Sequence, residues 1–323
     1  MTRAATAIAV PIAVLCFLSS AAAAQDLPCT QIRLITPYPA GGATDVSSRL
    51  IAERFEIALK RPVIVENRAG ATGNIGTALV ANAAADGCTL LNNAAVIATF
   101  TSSFTKLPYD PIKDLTPIGG IGITPTLLVT ASTNPPTDLK SLIEWSKSKP
   151  GGLNFSTAGY GLLQHLAVEE IGARSGGKFT HVAYRGGSQA VTDLISGRID
   201  LGSFSAGSVI NLVKDGKLKP LALISGKRSE LVPNVPTTTE QGMPGLDAGV
   251  HFMLFAPSKT PKTTINFLSG ELRKIVGDPA LKDRFIKIGY DPTPTSSEDM
   301  VAVMRKTGEQ WAPVIKRLNI RLD

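Results

Sequence analysis

Hydrophobic runs of two kinds alternate along the chain. Short β-rich stretches, "IRLITPY", "PVIVEN" and "CTLLNN", are separated by segments in which apolar residues return every three or four positions, predicting helices over about 45–59 and 78–84. In the first helix Val46, Leu50, Ala58 and Leu59 fall near one face, with Arg49, Glu53 and Arg54 elsewhere. The same alternation resumes with "PTLLVT", "LNFSTA", "FTHVAY", "IDLGSF" and "LKPLALIS", each followed by a helical run, and ends with "VHFMLFAP" and a mostly helical last third. Strand–helix alternation predicts βαβ units on parallel sheets, an α/β fold. The C-terminal helices need a sheet to cover, and the first is the nearest. The chain is therefore expected to cross into a second lobe near Thr124 and return near Gly249, giving lobe 1 as 25–124 plus 249–323 and lobe 2 as 125–248.

The extreme N-terminus breaks this pattern. Arg3, the apolar run "AIAVPIAVLCFLSS" and "AAAA" have the charged, apolar and small-residue parts of a secretory signal peptide covering 1–24, with cleavage expected after Ala24. The apolar run is shorter than a membrane span requires and contains Pro11. "AVLC" lacks the small residues that precede a lipidated cysteine, so Cys16 is expected to leave with the leader. No later stretch is long and uncharged enough to cross a membrane.

The net charge of +7, +6 without Arg3, is a modest excess in a chain that is 18% charged. It suits attraction of small anions; no Lys/Arg cluster interleaved with aromatics points to nucleic acid. Two cysteines remain after the leader. Cys29 lies just before "IRLIT" and Cys88 opens "CTLLNN", so if these strands are parallel neighbours both stand at the same sheet edge, where an oxidising compartment can join them. Two unpaired thiols are the alternative.

Four segments share one plan in which a strand ends, glycines follow and a helix begins: "YPAGGATD", "ENRAGATGNIG", "STAGYGLLQHL" and "AYRGGSQAVTDL". Glycine admits close backbone approach, and a helix start offers unpaired N–H groups with partial positive charge, so the combination makes anion sites. Such turns also serve as plain connectors. Two of them in each expected lobe place anion-binding groups on both sides of an interlobe cleft, at the strand ends where open α/β sheets bind ligands.

Catalytic patterns fail in detail. "AGYGLLQ" has Gln164 where a dinucleotide fingerprint needs its third glycine, and "GGSQA" around Ser188 ends in Ala190 where a nucleophile elbow needs glycine. His165, His181 and His251 have no triad or metal-site spacing, and His165 is expected to pack or cap within its helix. No cofactor motif and no metal site are read here.

The runs "PYPAGGATD", "VENRAGATGNIG", "ADGCTLL", "FSTAGYGLLQHLAVE", "AYRGGSQAVTDLISGRIDL", "PLALIS", "VPTTTEQGMPGL" and "FAPSKTP" resemble, in order and spacing, the Bug substrate-binding proteins of tripartite tricarboxylate transporters. The resemblance covers nearly all of the chain after the leader. It implies a non-enzymatic, monomeric periplasmic receptor of the periplasmic binding protein-like II class, whose two α/β lobes close on an organic acid and hand it to membrane permease subunits. Carried onto this sequence, it implies first-lobe contacts at Tyr38, Ala40, Gly42, Thr44 and Asp45, with Ala71, Thr72 and Asn74 nearby, and second-lobe contacts at Ser156, Ala158, Gly159, Tyr160, Gln164, Arg185, Gly186 and Gly187. Asp45 is expected to cap and organise its loop, because a bare carboxylate would repel an anion.

Three departures from the family pattern bear on the ligand. "IDLGSFSAG" places Phe204 or Ser205 where many relatives carry an acidic residue that can receive an ammonium group, which disfavours an amino acid. "HFMLFAP" puts His251 at a common tryptophan position, and "CTLL" replaces "YTLL", in keeping with the cysteine pair. With Tyr38, Tyr160 and Phe204 near the cleft, the expected ligand is an aromatic or aliphatic di- or tricarboxylate. A module signalling to a membrane sensor kinase, and an exported hydrolase using Ser188 or His251, are the rival readings.

Overall fold

The computed structural model describes residues 27–41, 43–184 and 187–322; the expected leader, and Gly42, Arg185 and Gly186 among the expected contacts, lie outside the described residues. The chain runs β1 (Ile32–Thr36), α1 (Ala43–Leu59), β2 (Val63–Asn67), α2 (Asn74–Ala81), β3 (Thr89–Ala94), α3 (Phe100–Ser103) and β4 (Leu115–Thr124). It continues β5 (Thr126–Ala131), α4 (Leu139–Ser148), β6 (Leu153–Ser156), α5 (Leu163–Ser175), β7 (Phe179–Val182), α6 (Gly187–Ile195), β8 (Leu201–Ser205), α7 (Ala206–Lys214) and β9 (Leu218–Leu223). The last part is β10 (Val250–Pro257), α8 (Lys262–Val276), α9 (Pro279–Lys287), β11 (Asp291–Pro292) and α10 (Ser297–Arg317).

These strands form two sheets, ordered β11-β4-β10-β3-β1-β2 and β7-β6-β8-β5-β9, one in each of two α/β lobes. β1 pairs in parallel with β2 and β3, and β6 with β7 and β8, as strand–helix alternation predicts. β4 and β10 pair with each other in antiparallel fashion, as do β5 and β9, so each sheet is mixed where purely parallel sheets were expected. These are the strands that carry the chain between sheets, at Pro125 and again between β9 and β10. A direct return from one sheet to the other reverses strand direction, whereas a helical crossover within a sheet preserves it.

β4 was not legible as a strand because of Gly119, Gly120 and Gly122. A Cβ at these positions would stand 2.9 Å from the Thr295 carbonyl oxygen, 2.2 Å from Thr295 Oγ1 and 2.8 Å from the Asp291 carbonyl oxygen, respectively. Glycine inside a strand marks such close backbone approach. In α1 the buried stripe runs through Leu50, Ile51, Phe55 and Leu59, while Val46 and Ala58 are exposed, a rotation from the expected face. Ser47 and Ser48 fill buried positions of its second turn and hydrogen-bond to the Thr44 carbonyl at 3.0 and 2.8 Å. α2 starts at Asn74, earlier than the expected 78.

Because β1 and β3 are parallel, with Arg33 opposite Thr89, their N-terminal ends are neighbours, and Cys29 and Cys88 are joined in a disulfide with a Cα–Cα distance of 6.0 Å. Of the C-terminal helices, α8 and α10 pack on β4 and α9 on β11, covering the first sheet. α10 also reaches α5 of the second lobe, where Arg317 and Arg174 both bind Glu170, at 2.6 and 2.7 Å. Ile286 of α9 packs against the second lobe's core.

Candidate functional site

The parallel strands of each sheet end on one edge, and five helices start there: α1 and α2 in the first lobe, α5, α6 and α7 in the second. Asp45 organises the first of these ends. Its Oδ2 accepts from the Gly41 amide at 2.9 Å and Arg49 Nε at 3.0 Å, and its Oδ1 accepts from Arg49 at 3.0 Å and Asn67 Nδ2 at 2.9 Å. Asn67, the last residue of β2, also donates to the Tyr38 carbonyl at 3.1 Å, so the side chain ties the β1 loop to its neighbouring strand. Burial works against the Asp45 charge, but the bonds from Arg49, Gly41 and Asn67 outweigh it and hold the carboxyl below its ordinary value. The carboxylate is 2% exposed and its acceptor capacity is filled.

The second turn is strained. Gly70, Ala71, Thr72 and Gly73 have φ of 134, 45, 54 and 88°, a run of positive values that costs about 1–2 kcal/mol at each non-glycine residue. Strain of this kind persists where surrounding contacts over-determine it. Here the Tyr38 ring lies against Gly73, leaving 3.2 Å between its Cζ and a Cβ at that position. The Tyr38 hydroxyl donates to Asn93 Oδ1 at 3.4 Å, Asn93 Nδ2 to Thr77 Oγ1 at 3.0 Å, and Thr77 Oγ1 to the Gly73 carbonyl at 2.8 Å. Burial pushes the Tyr38 phenol up to about 12, which keeps it a neutral donor. Tyr38 and Asp45 are therefore tied together through Asn67, and Tyr38 to the strained turn through Asn93, Thr77 and Gly73; Thr44 and Asn74 are buried, and Ala40 is exposed on the loop.

In the second lobe, Thr157 follows β6 and folds the loop onto itself. Its hydroxyl donates to the Gly159 carbonyl at 2.9 Å and receives the Gly159 N–H at 3.2 Å, with His181 Nε2 at 3.0 Å. The Gly161 N–H donates to His165 Nδ1 at 3.1 Å, so His165 packs and caps as expected. The two imidazoles stack at 4.0 Å between Phe155 and Tyr160, a convergence that sequence spacing does not reveal. Gln164 donates to Ser205 Oγ at 3.4 Å, and Gly187 lies beside Ala158, within 3.8 Å of its Cβ for a Cβ built on the glycine. Ser156 and Ser203 are fully buried, and their hydroxyls have no hydrogen-bond partner. Tyr160 is 44% exposed.

Phe204 is a correction. It is 1% exposed and packs with Val129, Leu194 and Val209, its ring folded over Gly202 so that a Cβ there would meet it at 2.3 Å. β8 runs one residue past the expected end and is buried on both faces from Leu201 to Phe204, so the Phe204 ring packs into the core. Ser205 is the residue that reaches Gln164.

Asp45 is the only acidic residue in the four strand-end loops as quoted up to their first helical turns, apart from Glu66 and Asp193 at the outer ends of two of them. Glu66 is bound by Arg33 and Arg68 at 2.6 and 2.9 Å, and Asp193 by the Tyr184 hydroxyl and Arg198 at 2.7 and 3.0 Å. The loops thus present N–H groups and hydroxyls with every carboxylate already neutralised. A cavity of about 780 Å³ lies elsewhere, walled by Ile123, Pro125, Ser229, Asp247, His251 and Asp291 among others. It sits on the β11 side of the crossing strands, whereas the two first-lobe strand-end loops sit on the side of β3, β1 and β2. A smaller cavity of about 480 Å³ is bounded by Ala71, Asn74, Phe104 and Leu322.

Comparison with known proteins shows the family and the fold. Protein BugT of Bordetella pertussis is 32% identical over 307 residues, covering 94% of each chain. An R. palustris structure with adipate superposes with a TM-score of 0.80 at 29% identity, covering 92% of this chain and 99% of that one. MatC from Rhodopseudomonas palustris, with bound malate, gives a TM-score of 0.75 at 27% identity, covering 89% and 99%. The family model described as tripartite tricarboxylate transporter family receptor matches residues 47–320, and the chain belongs to this family of periplasmic solute-binding receptors.

Proposed function

We propose that this receptor captures a small organic acid carrying two or more carboxylates, an aliphatic one in preference to an aromatic one, by closing its lobes on it, and delivers it as a monomer to the membrane permease subunits of a tripartite transporter. The observation that carries the reading is the saturation of Asp45: with its oxygens filled, the facing turns offer hydrogen-bond donors and helix starts, which suit anions. Relatives bound to adipate and malate support a dicarboxylate. The neutral pair Gln164–Ser205, where an ammonium would need a carboxylate, weighs against an amino acid. The inward turn of Phe204 removes one of three rings that favoured an aromatic body.

In this reading, residues 25–124 and 249–323 move as one lobe and 125–248 as the other, hinging at Pro125 and along the segment between β9 and β10. The ligand favours the closed form by bridging turns of both lobes, a population shift. The leader, removed after Ala24, directs the chain to the periplasm. Isothermal titration against adipate, malate, citrate, benzoate, aspartate and glutamate tests the ligand class. Saturable binding of the aliphatic acids is expected; tight binding of aspartate or glutamate alone overturns it.

A further inference from the structure

The loop that follows β6 is held at two points, and at each the partner is an imidazole. At the first, the Thr157 hydroxyl gives its hydrogen to the Gly159 carbonyl and accepts the Gly159 N–H, so the third contact, His181 Nε2 at 3.0 Å, has to be a donor. At the second, His165 Nδ1 accepts the buried Gly161 N–H at 3.1 Å, which places the His165 proton on Nε2, 3.6 Å from Glu169 Oε1. His165 is thereby assigned as the neutral Nε2–H tautomer and His181 as an Nε2–H donor. They stack at 4.0 Å with an interplanar angle of 26°.

We propose that His165 and His181 are positioning residues of the binding site, which hold the 157–161 turn at its two ends in the shape that receives the ligand, and do so as a neutral pair. The inference rests on the receptor reading above, because the turn it positions supplies the second-lobe contacts Ala158, Gly159 and Tyr160. A proton on His165 Nδ1 removes the acceptor of the Gly161 N–H and leaves that amide buried without a partner. Two imidazolium rings at this separation also repel. The groups facing the pair are Glu169 from α5, Phe155 from β6 and Tyr160 from the turn; Ile320 and Leu322 close over Gly161. Glu170, the next acid on α5, is already bound by Arg174 and Arg317. Burial, reinforced by His165, lowers His181 to about 4, so the His181 ring stays neutral well below neutral pH.

The test compares variants that keep the bonding atom with variants that lose it. His165→Asn retains an acceptor near Nδ1 and His181→Gln a donor near Nε2; His165→Leu and His181→Leu retain neither. Titration with adipate and malate at pH 7.5 is expected to show both leucine variants at least tenfold weaker, and the amide variants within about threefold of the parent. Independently of any ligand, the Gly161 amide resonance is expected to move in His165→Leu and the Gly159 amide resonance in His181→Leu, and both to stay near the parent positions in the amide variants. Should neither acid bind the parent, the ligand reading fails while the amide resonances still decide the positioning role. Leucine variants that fold and bind like the parent, or glycine amides indifferent to both rings, overturn it.

Discussion

Gly207 and Gly289 meet at the boundary between the lobes so closely that a Cβ built on Gly289 would stand 2.5 Å from the Gly207 Cα. Gly207 is in the first turn of α7, directly after β8, and Gly289 links α9 to β11, so this contact joins the end of a second-lobe strand to the start of a first-lobe one. Tyr290, next in sequence, is fully buried and donates to Ser47 Oγ of α1 at 3.3 Å. The contact fixes how near the two lobes approach on this side, and no side chain larger than hydrogen fits.

Gly289→Ala is predicted to destabilise the protein by about 2–4 kcal/mol, combining the cost of φ at 83° for a residue with a Cβ and the overlap with Gly207. Urea unfolding of parent and variant measures it. A difference below about 0.5 kcal/mol is the contrary result.

Asp45→Asn leaves the size of the side chain unchanged but removes the charge that Arg49, Asn67 and the Gly41 amide share. A loss of about 1–3 kcal/mol in stability is expected, since breaking one partner of a buried charged network leaves the others unsatisfied. The native carboxyl is depressed below its ordinary 3.8, so its stabilisation is fully present above that value and disappears as pH falls through the lower native one. The gap between parent and variant urea midpoints, measured from pH 7 to pH 3, therefore narrows once the pH falls below 3.8. A constant gap across that range contradicts the assignment.

Replacing Cys29 and Cys88 together by serine opens a link between residues 59 positions apart. The chain-entropy estimate for a loop of that size is about 4 kcal/mol, taken as an upper figure. The double variant should unfold at lower urea concentration than the oxidised parent and at the same concentration as the reduced parent. Identical midpoints with and without reductant in the parent would show that the bond does not stabilise the fold.

How much of this was legible follows from the range over which each feature is determined. The cysteine pairing could be read because it needs only two strand positions and their parallel order. The brace at Asp45 could be anticipated from charge alone, although Asn67, which completes it, carries no local signal. β4 was hidden because its glycines look like turn residues until the backbone of 293–295 is laid across them. Phe204 was misplaced because nothing in the local pattern shows that β8 is buried on both of its faces from Leu201 to Phe204. The His165–His181 stack depends on the seating of α5 against β7, a tertiary relation with no trace in the spacing of the two residues.

The clearest test of ligand class uses Ser205. This residue ends β8 and stands at the N-cap position of α7, where its side chain makes no capping bond, and its hydroxyl accepts from Gln164 at 3.4 Å. Aspartate is a preferred N-cap residue, so Ser205→Asp is expected to fold and to leave stability within about 1 kcal/mol of the parent or above it. Its effect on the site is larger. The new carboxylate neutralises the α7 N-terminus and repels a bound anion, while supplying the acceptor that an ammonium group needs. Affinity for adipate and malate is therefore predicted to fall at least tenfold, with aspartate or glutamate gaining relative to them, as read by parallel titrations. If the dicarboxylates bind the variant as tightly as the parent, the turn between β8 and α7 does not face the ligand, and the neutrality of Gln164 and Ser205 no longer explains the choice of acid.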